Sequence, residues 1–411
     1  MVNSLNSLYI VSMDAIRNPF SPGAGSQPQE LAGRNLLREQ VAIAIARVRI
    51  GRSAKSIIMV GLRGVGKTVL LDRMRLDAEE EGIFTVCAET AEDRSLPALL
   101  APHLRQVLHR LSRVDSAQEF AHRGLRALAG FARGLKIKYN DIEVGLDFSS
   151  EAGLADNGDL DTDLGVLLEQ VGRAAKAAGT AVVLFLDEIQ YVQEDQFAAL
   201  ISALHRCIQM QLPLTLVGAG LPRLRALAWN AKSYAERLFE FPVVDRLNPE
   251  QASVALEKPA ADEGVTFNSE AVQEILQQTR GYPYFLQEWG KHSWNNAPAS
   301  PITLFDVKRS SEQALAALDE SFFRVRFDQL APREKHYLRA MAELGPGPHR
   351  SGSIATQLGR DVKQLGTVRD RLIAKGMIWS PNHGNTAFTV PLFDEFMKRI
   401  MPGDAWKVEL A

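Results

Sequence analysis

Residues 61–68 read GLRGVGKT and stand between an apolar run, SIIMV, and a stretch with helical spacing of apolar residues. This octapeptide matches the pattern G-x-x-x-x-G-K-[ST], which holds phosphate when a strand precedes it and a helix follows it. Its glycines let backbone N–H groups turn toward phosphate oxygens, and the amino end of the helix adds partial positive charge. The motif therefore predicts a phosphate-binding loop in a domain of alternating strands and helices.

The residues of this loop have predicted roles in holding ATP together with magnesium. Lys67 is expected to reach the β and γ phosphates, and the Thr68 hydroxyl to ligate Mg²⁺. An ordinary glycine-rich turn is the alternative, and the strand and helix patterns on either side disfavour it. The residues expected to line the nucleotide here are Gly61, Leu62, Arg63, Gly64, Val65, Gly66, Lys67, Thr68 and Val69.

A second apolar run, VVLFLDEIQ, ends in two carboxylates about 120 residues after the loop, the order that ATP-hydrolysing sites of this kind require. Asp187 is expected to hold Mg²⁺ through water, and Glu188 to orient and deprotonate the attacking water. Acidic residues at a strand end are often only solvated, which is the alternative. With Glu188 present, we expect hydrolysis of ATP in addition to binding.

The order of apolar runs predicts the fold class. Five runs of four to eight residues alternate with amphipathic helical patterns, which is typical of an α/β protein whose parallel sheet has helices on both faces. An insertion between the second and third runs is expected to contain the helix LPALLAPHLRQVLHRL and the β-hairpin LKIKYNDIEVGLDF. The expected strands are SIIMVG, IFTVCAE, AVVLFLDE, LTLVGAG and LFEFPVV.

From residue 248 to about residue 297 the pattern is wholly helical, which predicts a domain separate from the sheet. Residues 326–411 contain three helical segments and an Asn-His-Gly turn between two short strands, the arrangement of a winged helix-turn-helix. The predicted organisation is an irregular lead-in at 1–30, a nucleotide-binding domain at 31–247 with an insertion at about 95–160, a helical lid at 248–300, a linker helix at 301–325 and the winged helix at 326–411.

The basic surface of the chain is concentrated near its carboxyl end. The whole chain has a net charge of −2, whereas Arg324 to Arg399 contain 13 Lys and Arg against seven Asp and Glu residues. A winged helix inserts its third helix into the major groove, so double-stranded DNA is an expected partner. Residues 363, 367 and 371 are expected to form the exposed face of that helix. The predicted DNA contacts are Lys363, Arg369, Arg371 and Lys375, with Arg350, Arg360 and His383 as additional phosphate contacts.

Taken together, the phosphate loop, LDEIQ, the helical lid and the winged helix resemble AAA+ ATPases of the origin-recognition type and the related STAND signalling ATPases. The resemblance covers roughly residues 30–400 and leaves the hairpin insertion unexplained. It implies a switch driven by ATP binding and hydrolysis. In the first family the nucleotide state would control engagement of DNA. In the second, the winged helix would be a latch and the output a protein partner.

The same resemblance assigns roles to residues outside the two main motifs. Gly33 and Arg34 match the start of the adenine-side pocket, and the GYP sequence ending at Pro283 resembles the GxP motif of STAND proteins. Arg237 falls where the family has an arginine finger that acts on a neighbouring subunit, which implies a homo-oligomer; a solvated helix arginine is the alternative. The fourth strand ends in Gly218–Gly220, where a polar sensor residue is usual, so slow hydrolysis is expected.

Several other classes of protein are disfavoured. Cys87 and Cys207 are 120 positions apart and suggest neither a disulfide framework nor a zinc site. No apolar run approaches the roughly 18 residues of a membrane span, and the amino-terminal residues lack the basic start and cleavage site of a secretory signal. We therefore expect a cytoplasmic protein without a membrane partner. A small-molecule kinase is disfavoured because no acceptor pocket is evident after the lid.

Overall fold

The computed structural model describes residues 13–408, except residues 24, 92, 137, 140 and 143–148. The chain divides into two compact units. The first, here called the sheet unit, consists of Arg34–Gly61 and Lys67–Val244. The second, the helical unit, combines the residues up to Gly33 with Leu62–Gly66 and Asp245–Ala411.

The sheet unit contains a five-stranded parallel sheet in the order β2-β3-β4-β1-β5. Every residue of β1, β3 and β4 is buried. Because alternate side chains of a strand point to opposite faces, helices must cover both faces of the sheet. This confirms the predicted fold class. The strands are β1 (Ser56–Val60), β2 (Phe84–Glu89), β3 (Val182–Asp187), β4 (Leu214–Gly220) and β5 (Phe239–Glu240).

The fifth strand is shorter than the apolar run LFEFPVV predicts. Pro242 follows β5 closely, and proline has no N–H for a ladder hydrogen bond, so regular pairing stops before it. One isolated bridge, between Val60 and Val243, continues the same alignment. The helices of this unit are α1 (Asn35–Arg49), α2 (Lys67–Glu80), α3 (Leu96–Leu111), α4 (Gln118–Leu135), α5 (Leu160–Ala177), α6 (Glu194–Gln209), α7 (Leu224–Ala231) and α8 (Ala235–Leu238).

The insertion is more helical than the sequence predicts. Helix α3 has the predicted bounds, and the Ser95 side chain caps it by accepting the Ala98 N–H. Helix α4 was not predicted, because its glycines lower helix propensity. Gly130 lies so close to the Leu154 carbonyl that a Cβ would overlap it, so this glycine allows close packing. Leu135, the first residue of the predicted hairpin, ends α4, and the hairpin's second half lies outside the described residues.

The helical unit begins with the segment predicted to be an irregular lead-in. Phe20 of that segment is buried in the same apolar cluster as Trp289 and Trp294 of the predicted lid. The Trp294 indole N–H donates to the Asp14 carbonyl at 2.9 Å. These contacts join the lead-in to the lid helices. The first helices of the unit are α9 (Pro249–Asp262), α10 (Ser269–Thr279), α11 (Pro283–Asn296) and α12 (Leu304–Leu318), followed by a π-helical turn, Asp319–Arg324, and α13 (Val325–Asp328).

The last segment, predicted to be a winged helix-turn-helix, combines helices with a small antiparallel sheet. Within the described part of this segment, five helices accompany this sheet, which has the order β6-β8-β7, and a turn joins its last two strands. Its elements are α14 (Pro332–Glu343), β6 (His349–Arg350), α15 (Ser351–Leu358), α16 (Val362–Ala374), β7 (Ile378–Trp379), β8 (Asn385–Phe388), α17 (Phe393–Ile400) and α18 (Ala405–Val408). Among the described residues, no helix is long and apolar enough to cross a bilayer.

Candidate nucleotide-binding site

The predicted phosphate loop joins the end of β1 to the start of α2. Gly64 and Gly66 have φ values of +78° and +87°, which L side chains rarely adopt, so glycine is required at both positions. Lys67 is the first residue of α2 and is only 6% exposed. The loop thus has the strand before it and the helix after it that the motif requires, with its lysine buried at the helix start.

The two predicted magnesium ligands lie together within the sheet unit. Asp187 ends β3 and is 6% exposed, and the Thr68 hydroxyl donates to its carboxylate. Burial raises the pKa of Asp187, whereas the hydrogen bond from Thr68 and the nearby Lys67 ammonium lower it. A hydroxyl and a carboxylate oxygen are ligands of the kind that Mg²⁺ prefers, so this pair fits the predicted ion.

Glu188 follows directly and has an unusual backbone conformation. Its φ of +52° lies in the left-handed region, which costs a non-glycine residue of the order of 1–2 kcal/mol. Its N–H donates to Asp187 Oδ1 at 2.8 Å, and its carbonyl accepts the Thr90 hydroxyl at 2.6 Å. Local hydrogen bonds from β3 and from the end of β2 therefore hold the backbone of the predicted general base.

Gln190 contacts the predicted general base and was not among the residues predicted from the sequence. It lies in a short 3₁₀ helix, Ile189–Tyr191, and is 4% exposed. Its amide nitrogen donates to Glu188 Oε2, and its amide oxygen accepts the Leu221 N–H at 2.9 Å, just beyond β4. The signal in the sequence was a glutamine two residues after Glu188, combined with the lack of polar side chains at the end of β4.

Within the helical unit, two backbone groups of the loop contact other elements. The Arg63 N–H donates to the Thr389 carbonyl at 3.1 Å, directly after β8. The Gly64 carbonyl accepts the Tyr284 N–H at 3.2 Å, in the first turn of α11. Tyr284 stacks on Phe322 of the π-helical turn, with ring centroids 4.8 Å apart. The loop is thus held by both the predicted lid and the predicted winged helix.

The other residues predicted to serve the nucleotide occupy the ends of helices. Arg34 is the residue before α1, and the preceding Gly33 has a φ of +70°. Pro283 begins α11, next to the Tyr284 N–H that contacts the loop. Arg237 lies on α8 and is exposed.

The four predicted DNA-contacting residues differ in the contacts that they make within the chain. Lys363 and Arg371 are exposed on α16, together with Thr367 as expected. Arg369 instead donates to Thr386 Oγ1 at 3.2 Å, in β8, and to the Ser380 hydroxyl, directly after β7.

Lys375 makes an ion pair within the same segment. Its ammonium donates to Glu334 Oε2 at 2.7 Å and to the Gln329 carbonyl at 2.9 Å. Glu334 is 3% exposed, so Lys375 neutralises a buried carboxylate. The additional residues Arg350, Arg360 and His383 are all exposed.

Two family models match parts of the chain. Residues 30–217 match the model described as AAA ATPase domain, which includes β1–β3 and both site motifs. Residues 320–397 match a model described as domain of unknown function (DUF8462). The chain therefore contains an AAA ATPase-like domain and, after it, a segment with a separate family match. A search of curated proteins returns no match.

Solved structures align with most of the chain. A Walker-type ATPase of Pyrococcus abyssi is 14% identical, with 92% of this chain and 99% of that chain covered at a TM-score of 0.57. The Orc1 protein of Aeropyrum pernix, solved in complex with DNA, is 15% identical, with 93% and 96% covered at 0.45. The RuvB branch migration motor of Thermotoga maritima is 17% identical, with 90% and 98% covered at 0.42. The likeness to the Pyrococcus abyssi protein shows a shared P-loop NTPase fold.

Proposed function

We propose that this protein binds and hydrolyses ATP and acts as a switch controlled by its nucleotide. The observation that carries the proposal is the hydrogen bond from the Thr68 hydroxyl to the Asp187 carboxylate. Lys67, which precedes Thr68, is buried, and Glu188 follows Asp187 directly. We infer that, through this hydrogen bond, two motifs about 120 residues apart contribute to one site. The match of residues 30–217 to an AAA ATPase domain supports the same activity.

The proposed mechanism assigns one role to each of these side chains. Lys67 and the loop N–H groups bind the β and γ phosphates. Thr68 and Asp187 would hold Mg²⁺, which neutralises phosphate charge when bound. Glu188 accepts a proton from water as the water oxygen bonds to the γ phosphorus and the bond from that phosphorus to the bridging oxygen breaks. The products are ADP and inorganic phosphate.

We propose contact with double-stranded DNA as the output of the switch. Lys363, Thr367 and Arg371 are spaced at i, i+4 and i+8 on α16 and are all exposed, so they form one polar and basic face. In a winged helix, this third helix enters the major groove. Arg350 and Arg360 are exposed in the same segment and would add phosphate contacts.

A latch is the second candidate, and the bond between Arg63 and Thr389 favours it. The Arg63 N–H belongs to the phosphate loop and donates to Thr389 at 3.1 Å, so it is engaged by the chain itself. Nucleotide binding that redirects this N–H would release Thr389. Two ion pairs, Arg280–Glu395 and Arg399–Asp319, hold α17 within the helical unit and would oppose release. In this candidate the output would be a protein partner.

The proposal is tested by ATP turnover of the full chain with Mg²⁺ and with excess EDTA, over a wide range of protein concentration. We expect phosphate release that requires Mg²⁺. If exposed Arg237 acts on a neighbouring subunit, turnover per subunit should rise with protein concentration. Bound ATP without phosphate release in any condition would contradict hydrolysis. Turnover per subunit that stays constant over the range would remove the role of Arg237.

A further inference from the structure

The carboxyl end of β4 lies beside the strand that leads to Glu188 and has no polar side chain. Strand β4 lies between β1, which leads to the phosphate loop, and β3, which ends at Asp187. The register aligns Gly220 with Val60 and Gly218 with Leu186. Residues at the carboxyl end of β4 are therefore next to both motifs, yet Gly218–Gly220 offer no polar side chain there.

The Gln190 side chain occupies this position from the neighbouring strand's turn. Its amide oxygen accepts the Leu221 N–H at 2.9 Å, and its amide nitrogen donates to Glu188 Oε2. Its own carbonyl accepts the Arg223 guanidinium at 2.8 Å. Gln190 is thus fixed at both ends, and its amide connects the end of β4 with the general base.

The glycine at the end of β4 is what admits this side chain. A Cβ on Gly220 would overlap Gln190 Oε1 and the end of the Leu224 side chain. Gly220 also accepts the Gly61 N–H at 3.1 Å, so its backbone is tied to the first residue of the phosphate loop. The missing polar residue on β4 and the presence of Gln190 are therefore parts of one arrangement.

We propose that Gln190 is a positioning residue for Glu188 and replaces, from the turn after β3, the polar side chain that β4 lacks. Its N–H holds one carboxylate oxygen and leaves the other to accept a proton from water. A hydrogen bond to a charged group is stronger than one between neutral groups and fixes direction, so it orients the carboxylate before water arrives. This inference rests on the proposed hydrolysis of ATP.

The test is Gln190→Glu, compared with Gln190→Met. The glutamate retains an acceptor for the Leu221 N–H and loses the donor to Glu188, whereas the methionine retains only the volume. We expect both variants to reduce kcat by about tenfold to a hundredfold, the loss that corresponds to one charge-assisted hydrogen bond. KM and the Kd for ATP should stay within about twofold. A purely structural role would lower Tm for Gln190→Met, and kcat would stay near wild type for Gln190→Glu.

Rescue provides a second readout. Gly220→Asn alone should reduce turnover because its Cβ overlaps Gln190 and the end of the Leu224 side chain. In Gly220→Asn with Gln190→Ala only the overlap with Leu224 remains, and rotation of that side-chain end would accommodate it. An amide on β4 should then regain at least part of the kcat lost in Gln190→Ala. Wild-type kcat in Gln190→Glu, or no rescue by Gly220→Asn in a folded double variant, would overturn this inference alone. A wild-type chain that binds ATP without hydrolysing it would overturn the proposed function as well.

Discussion

At the scale of single residues, the site depends on a backbone conformation that most side chains avoid. Glu188 stays at a φ of +52° because Thr90 and Asp187 hydrogen-bond to its carbonyl and N–H. Such strain persists where the surrounding structure determines it, and it is common at functional sites. Here it places the carboxylate of Glu188 within reach of the Gln190 amide.

Lys67 is the residue whose loss should affect nucleotide binding most. Its ammonium is buried at the start of α2, and we expect Lys67→Ala to lose measurable ATP binding because charge neutralisation at the β and γ phosphates is removed. Calorimetric titration with ATP and Mg²⁺ measures this. Lys55→Ala is the matched control, since Lys55 is exposed before β1 and donates to the Glu236 carbonyl. Equal ATP affinity in the two variants would refute the assignment of the loop.

The residues of the two motifs were proposed from short spacings along the chain, and their roles stay predictions. Lys67, Thr68, Asp187 and Glu188 were predicted from an octapeptide and a strand end, and the structure places Thr68 against Asp187. The role of Gln190 was not predictable, because it depends on a contact with Leu221, 31 positions away.

At the scale of elements, α16 separates side chains by face. Lys363 and Arg371 lie on its exposed face, whereas Leu372 is fully buried and Lys375 is bound to Glu334. Charge counting along the sequence cannot make this distinction, because the partners of a lysine or arginine are set by folding. Lys375 is exposed as well, but its charge is already paired with Glu334, so it has less to offer an external phosphate.

The DNA proposal predicts a specific change in salt dependence. Lys363→Ala with Arg371→Ala removes up to two phosphate contacts, so the slope of log affinity against log salt should fall by about 1.8. Lys375→Ala is the control: it removes one positive charge that is bound to Glu334, and the slope should not change. Fluorescence anisotropy with duplex DNA at several salt concentrations measures both. Absence of duplex binding by the wild-type chain, or an unchanged slope in the double variant, would favour the latch.

Secondary structure was predicted best where periodicity was strong. The five strands and α3 follow from uninterrupted apolar patterns, whereas α4 contains Gly124, Gly130 and Gly134, whose low helix propensity hides it. The packing of α4 explains why glycine occurs there: Gly124 lies against Leu108, and Gly130 lies against the Leu154 carbonyl.

At the scale of the whole molecule, the chain forms two units that are interleaved in sequence. The helical unit takes Leu62–Gly66 from the middle of the phosphate motif, while Gly61 and Lys67 belong to the sheet unit. The sequence could not predict that the loop would bond to Thr389 and Tyr284. Those contacts join residues more than 200 positions apart.

The most direct test of the central claim is single-turnover hydrolysis of ATP by the full chain and by Glu188→Gln. The amide cannot accept the proton of the attacking water, so we expect hydrolysis to slow by about a hundredfold or more, the usual value of general-base assistance. ATP affinity should remain within about twofold of wild type, since Lys67, Thr68 and Asp187 are unchanged. The variant would then retain ATP where the wild-type chain releases ADP and phosphate. Hydrolysis at the wild-type rate in Glu188→Gln would contradict the account.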